Sequence, residues 1–142
     1  MTTNRAQGRE SGAAPLRTEG IDHIALEVED PVASGRWYMA LLGLERRFEE
    51  AWGDVPYVVG AGTTSLAFFA RKPGASGLPR EDLAPGSGHI AFRVDGETFE
   101  RAPGLLAERG IEYREADYRI SRSLHFEDPD GLHLELTTYE VT

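Results

Sequence analysis

One hexapeptide occurs twice in this chain. His23-Ile24-Ala25-Leu26-Glu27-Val28 returns as His89-Ile90-Ala91-Phe92-Arg93-Val94, identical at four of six positions. A repeat spaced at about half of a 142-residue chain implies two copies of one supersecondary unit, stacked or paired to bury a shared apolar surface. Later landmarks keep the register. Leu42-Gly43-Leu44-Glu45 matches Arg109-Gly110-Ile111-Glu112, and Ser65-Leu66-Ala67-Phe68 matches His133-Leu134-Glu135-Leu136.

Each copy reads as βαβββ. Residues 21–28 alternate, with Ile24, Leu26 and Val28 on one face and His23, Ala25 and Glu27 on the other, which predicts a half-buried strand. Asp30 as cap, Pro31 in the first turn and Gly43 after the last turn bracket a helix carrying Trp37, Tyr38, Leu41 and Leu42. Strands are expected near 44–50, 55–60 and 63–70, separated by Gly53-Asp54 and Gly60-Ala61-Gly62. The second copy predicts strands near 89–94, 111–115, 121–127 and 132–138, with a helix between Asp95 and Gly110. Pro103 falls inside that helix, so a kink or a late start is expected there.

The expected class is α+β, two βαβββ modules forming a cupped mixed sheet with helices on the outside. Residues 1–19 have Leu16 as their single large apolar residue and read as a flexible tail. One domain spans 20–142, made of module one at 20–70, a Gly- and Pro-rich linker at 71–88, and module two at 89–140.

Composition narrows the chemistry. A net charge of −9 repels phosphate backbones and anionic membranes, so neither nucleic acid nor membrane is an expected partner. No run approaches the roughly 18 apolar residues of a membrane span, and the opening has no signal-peptide core, which makes the cytoplasm the expected compartment. The chain has no cysteine, so any metal must be held by His and carboxylate.

His23 and His89 hold the same place in the two first strands, on the face opposite Ile24 and Ile90. Glu135 projects onto that histidine face when Leu134 and Leu136 pack inward. Two imidazoles and a carboxylate with open positions form the set suited to Fe(II), with Mn(II), Ni(II) or Zn(II) as other occupants. The module-one counterpart of Glu135 is Ala67, or Leu66 if the register slips, and neither binds metal. His133 shares Glu135's face about 6 to 7 Å along the strand, too far to ligate the same ion easily, and is expected at the rim or behind the ligands. Tyr57, Ser65 and Phe69 are expected to line the cup as substrate contacts.

The paired HIAxxV strands, with Asp128-Pro129-Asp130-Gly131-x-x-x-Glu135 closing the second module, resemble the vicinal oxygen chelate superfamily. That superfamily includes glyoxalases, extradiol dioxygenases, fosfomycin-modifying transferases and bleomycin-binding proteins. The resemblance covers residues 21–140 and implies three metal ligands, His23, His89 and Glu135. Ala67 departs from the glyoxalase pattern, which takes a ligand from the fourth strand of both modules. Residues 117–126, Asp-Tyr-Arg-Ile-Ser-Arg-Ser-Leu-His-Phe, resemble an extradiol stretch written D-H-G-V-S-x-S-L-Y-x. Tyr118 stands at the position of its histidine and His125 at that of its tyrosine, which implies acid/base or hydrogen-bonding roles with the two residue types exchanged.

Two functions follow as expectations. The first is a metal-dependent enzyme acting on a small catechol-like substrate, an extradiol-type dioxygenase being the initial reading. The second is a metal-free binding protein that sequesters a drug or metabolite, cationic given the acidic chain. A homodimer is expected in either case.

Overall fold

The computed structural model describes residues 14–72 and 88–141. Residues 14–19 are exposed and irregular. The rest of the expected tail, and the expected linker from 73 to 87, lie outside the described residues. The chain divides into two compact units between Phe69 and Ala70.

The first unit begins with β1 (His23–Val28), whose exposure alternates until Val28 is buried. Helix α1 (Pro31–Leu42) follows, capped by Asp30, which accepts a hydrogen bond from the Ala33 amide, and closed by Gly43 in the left-handed region. Strand β2 (Glu45–Arg47) is shorter than the expected 44–50. Phe48, at φ 60°, turns the chain into a one-turn helix, α2 (Glu49–Trp52), whose first two residues fall inside the strand expected at 44–50. Its Phe48 and Trp52 rings lie 5.1 Å apart, one helical turn on. Strands β3 (Tyr57–Ala61) and β4 (Thr64–Ala70) complete a sheet in the order β1-β4-β3-β2. Strand β3 starts only after Pro56, which has no amide to give a ladder.

The second unit repeats the plan with β5 (Ile90–Arg93), α3 (Gly96–Glu108), β6 (Arg114–Asp117), β7 (Arg122–Glu127) and β8 (His133–Thr138), in sheet order β5-β8-β7-β6. Strand β5 runs parallel to β8, and the other neighbours are antiparallel. The expected late start of α3 is not found. Asp95 caps the helix by accepting from the Thr98 amide at 2.8 Å, and the Phe99 amide closes the first turn on the Asp95 carbonyl at 2.9 Å. Pro103 therefore sits inside a helix already nucleated upstream, where it removes one ladder bond to the preceding turn. Strand β6 begins three residues later than expected, because the amides of Arg109, Gly110 and Ile111 are spent closing the end of α3.

Alternation sorts each sheet into two faces. In the second unit Leu124, Phe126, Leu134 and Leu136 are buried on the side of α3, with Phe99, Ala102 and Leu106 of the helix also buried. The Arg122 guanidinium, on the same side of β7, lies over the Phe99 ring. Full burial of a side chain such as Leu134 or Phe99 is worth about 1.5–3 kcal/mol, so this apolar layer fixes which residues of β7 and β8 face the other way. The architecture is α+β, two four-stranded mixed sheets with helices. Among the described residues no helix is long and apolar enough to cross a membrane.

Candidate functional site

The face of the second sheet turned away from α3 gathers polar groups. In the β7–β8 register His125 lies opposite Glu135, and in the β5–β8 register Ala91 lies opposite it too, which puts His89, just before β5, beside the carboxylate. His89 Nε2 is 2.9 Å from Glu135 Oε1. The second oxygen, Oε2, accepts from Ser123 Oγ at 2.5 Å. His125 Nδ1 is 2.9 Å from His133 Nε2, and His125 Nε2 is 3.0 Å from the Tyr118 hydroxyl. The His89 and His133 rings stack with centroids 4.6 Å apart. Arg114 of β6 pairs with His125 across the strands.

Electrostatics separates these groups. Burial acts to raise Glu135, but hydrogen bonds from Ser123 and His89 and the nearby imidazoles outweigh it, and the carboxyl lies below its ordinary value. Burial pushes His125 and His133 below the ordinary histidine value, with Arg114 and His89 adding to the effect and Glu135 opposing it. Both rings are therefore neutral near pH 7, beside an ionised carboxylate.

The expected site residues fall in different places. His89, Glu135, Tyr118 and His125 lie together in the second unit. His23 lies in the first, half exposed, with Nδ1 2.8 Å from Asp22 Oδ2. Ser65 and Phe69 share one face of the first sheet, where Ser65 accepts from Arg47 at 3.1 Å and Phe69 is exposed. Tyr57 does not join them. The hairpin register pairs it with Phe68 and pairs Gly60 with Ser65, so Tyr57 occupies the opposite face. There its ring fills the space beside Gly35 of α1, and the Arg46 guanidinium sits 3.7 Å from its centroid. It is a packing residue. Of the two places expected for His133, the rim is not the one it takes: it is buried, in contact with His125 and stacked on His89. Ser123 and Arg114 were not singled out from sequence. The available signal was the two-residue spacing Ser123-x-His125 on one strand against His133-x-Glu135 on the next.

Among the described residues no three His, Asp or Glu groups are already converged on a point that a metal ion could take. The donor chemistry nevertheless fits one. Two ligands held about 2.1 Å from an ion at right angles lie about 3 Å apart, and the His89 and Glu135 donor atoms stand at that separation. Ser123 supplies the support that a ligating carboxylate needs from behind.

This geometry meets a family. The family model described as the Glyoxalase/Bleomycin resistance protein/Dioxygenase superfamily matches residues 20–136. A metallothiol transferase FosB of Staphylococcus epidermidis is 31% identical over 123 residues, covering 84% of each chain. Among solved structures, a glyoxalase/dioxygenase from Nostoc punctiforme superposes with a TM-score of 0.76 at 26% identity, covering 91% of this chain and 97% of that one. The fosfomycin resistance protein FosX of Mesorhizobium loti shares the fold, with a TM-score of 0.63 at 22% identity, over 86% of this chain and 93% of that one. The chain belongs to the glyoxalase, bleomycin resistance and dioxygenase superfamily, the vicinal oxygen chelate superfamily.

Proposed function

We propose that this protein is a metal-dependent enzyme that binds a small substrate through two neighbouring oxygens and adds a nucleophile to it, in the manner of a thiol transferase acting on an epoxide-bearing phosphonate. The observation that carries this reading is the His89–Glu135 contact, backed by Ser123, on the same sheet face as Tyr118 and His125. The relative at 31% identity is named a metallothiol transferase, and the one named for fosfomycin resistance has the same fold. Ring cleavage by Fe(II), the first expectation, has less behind it. The structure named a glyoxalase/dioxygenase carries both words and so does not favour ring cleavage, and the His and Tyr of the extradiol stretch are exchanged here. The reading accordingly specifies a divalent ion and no particular metal.

His89 and Glu135 would hold the ion. When bound, such an ion supplies a positive charge that polarises a substrate oxygen. The chain's own groups do the rest. Ser123 keeps Glu135 oriented, and Arg114 offers a cation to an anionic substrate from the neighbouring strand. Tyr118 stands at the half-exposed edge of the cluster, its hydroxyl 3.0 Å from His125 Nε2, and would face a substrate bound there. In thiol addition to an epoxide a carbon–sulfur bond forms, a carbon–oxygen bond breaks, and the thiol proton ends on the new hydroxyl. A hydrogen bond from Tyr118 to that oxygen stabilises its developing charge.

The test is a reconstitution. Chelator-stripped protein is reloaded separately with Mn(II), Mg(II), Ni(II), Zn(II) and Fe(II), then offered fosfomycin with small thiols, and catechols with oxygen. Metal-dependent formation of the thiol adduct, read by mass spectrometry, is the expected result. Oxygen uptake with ring cleavage would restore the dioxygenase reading. Tight binding of a drug with no turnover under any metal would favour a sequestering protein.

A further inference from the structure

Three side chains form a line of hydrogen bonds whose protons can be counted. Tyr118 Oη, His125 Nε2, His125 Nδ1 and His133 Nε2 are joined by contacts of 3.0 and 2.9 Å. At pH 7.5, above the ordinary histidine value of about 6.5, each imidazole carries one N–H and Tyr118 one O–H, so the three side chains bring three protons to the line. Three protons serve two hydrogen bonds, so one is left over, and it must sit at one end of the line.

The two ends differ. If Tyr118 donates to His125 and His125 donates to His133, the spare proton falls on His133 Nδ1. That atom is buried and has no hydrogen-bond partner among the described residues, on a side chain 7% exposed. If His133 donates from Nε2 to His125 Nδ1, then His125 donates from Nε2 to Tyr118 Oη, and the spare proton is the hydroxyl proton of Tyr118. Tyr118 is 51% exposed as a residue, so this end of the line borders solvent while the His133 end is buried. Orphaned buried N–H groups are rare because nothing replaces their lost solvation, whereas an exposed hydroxyl loses nothing.

We infer that His133 is a positioning residue that fixes His125 as its Nε2–H tautomer and thereby turns the Tyr118 hydroxyl proton outward, making Tyr118 a hydrogen-bond donor to a substrate oxygen and not a base. The inference rests on the proposed function only in naming that oxygen as the recipient. The direction of the hydrogen bonds stands on the geometry of the second unit alone.

Ring-nitrogen NMR of the full chain, labelled with 15N, reads the tautomers directly. The chain has four histidines, each assignable by its Gln variant. At pH 7.5 His125 and His133 should both show a protonated Nε2 and an unprotonated Nδ1. His133→Gln keeps an amide donor near the Nε2 position and should leave His125 in the same tautomer. His133→Leu removes the donor and should shift His125 toward a mixture of tautomers. A wild-type His125 protonated at Nδ1 overturns the inference, and so does an unchanged tautomer in His133→Leu.

Kinetics separates this outcome from the wider reading. With a working substrate, His133→Leu should lower kcat about 10-fold with KM and metal content little changed, while His133→Gln recovers most of the rate. Equal losses in both variants would contradict the positioning role. If no substrate is turned over with any metal, the proposed function fails while the NMR result still decides the tautomer.

Discussion

Glu135 takes both of its neighbours at once, accepting from Ser123 on one oxygen and lying against His89 with the other. Ser123→Ala should therefore leave the fold intact and weaken metal affinity by roughly 10- to 100-fold, the usual cost of removing a group that orients a ligand. Titration of the stripped protein with a divalent ion, followed calorimetrically, measures this. Unchanged affinity would mean that Ser123 packs beside the carboxylate without holding it. At this scale the sequence was uneven as a guide. His89 and Glu135 could be placed on a shared face by alternation alone. Tyr57 was assigned to the wrong face, because its partner depends on the hairpin register, Ala61 against Thr64, which single-strand alternation does not reveal. His133 was set aside on distance along its own strand, while its contact is to the neighbouring strand.

Helix α1 lies against β3 through a glycine. A Cβ on Gly35 would come within 2.2 Å of the Tyr57 ring, which is itself buried and has the Arg46 guanidinium 3.7 Å from its centroid. Gly35→Ala raises helix propensity by about 1 kcal/mol, yet the clash should cost about 1–3 kcal/mol as overpacking does. Urea unfolding should show a lower midpoint, and a stabilised variant would mean that the ring moves freely. The cap of α3 gives a pH prediction. The Asp95 carboxyl lies below the ordinary aspartate value, chiefly because it accepts from the Thr98 amide. A lowered carboxylate contributes stability that is complete above its unfolded value and fades as pH falls through the folded one. Melting temperature should therefore drop below about pH 4 less steeply in Asp95→Asn, which keeps a capping oxygen without titrating. Caps were readable in the chain because they are local signals, as Asp30 and Gly43 show for α1. The short helix after β2 was not, since a left-handed Phe48 and a three-residue strand answer to tertiary packing around Arg46, tied to Gly53 and Asp54.

At the scale of the molecule, the repeated hexapeptide announced two units of one plan, and the division after Phe69 together with the mirrored sheet orders follows that plan. The repeat also shows what differs. Strand β4 carries Ser65 and Ala67 where β8 carries His133 and Glu135, so the ionisable cluster belongs to the second unit. Ligand binding to the folded state alone stabilises it by about 2.7 kcal/mol at a hundredfold excess over Kd. Chelator should accordingly lower the melting temperature of metal-loaded protein and leave Glu135→Ala unmoved. The most direct measurement is the metal content per chain, by elemental analysis, of wild type, His89→Ala and Glu135→Ala after identical reloading. One divalent ion per wild-type chain, lost in both folded variants, is the result expected. Stoichiometric metal in both variants would contradict the site.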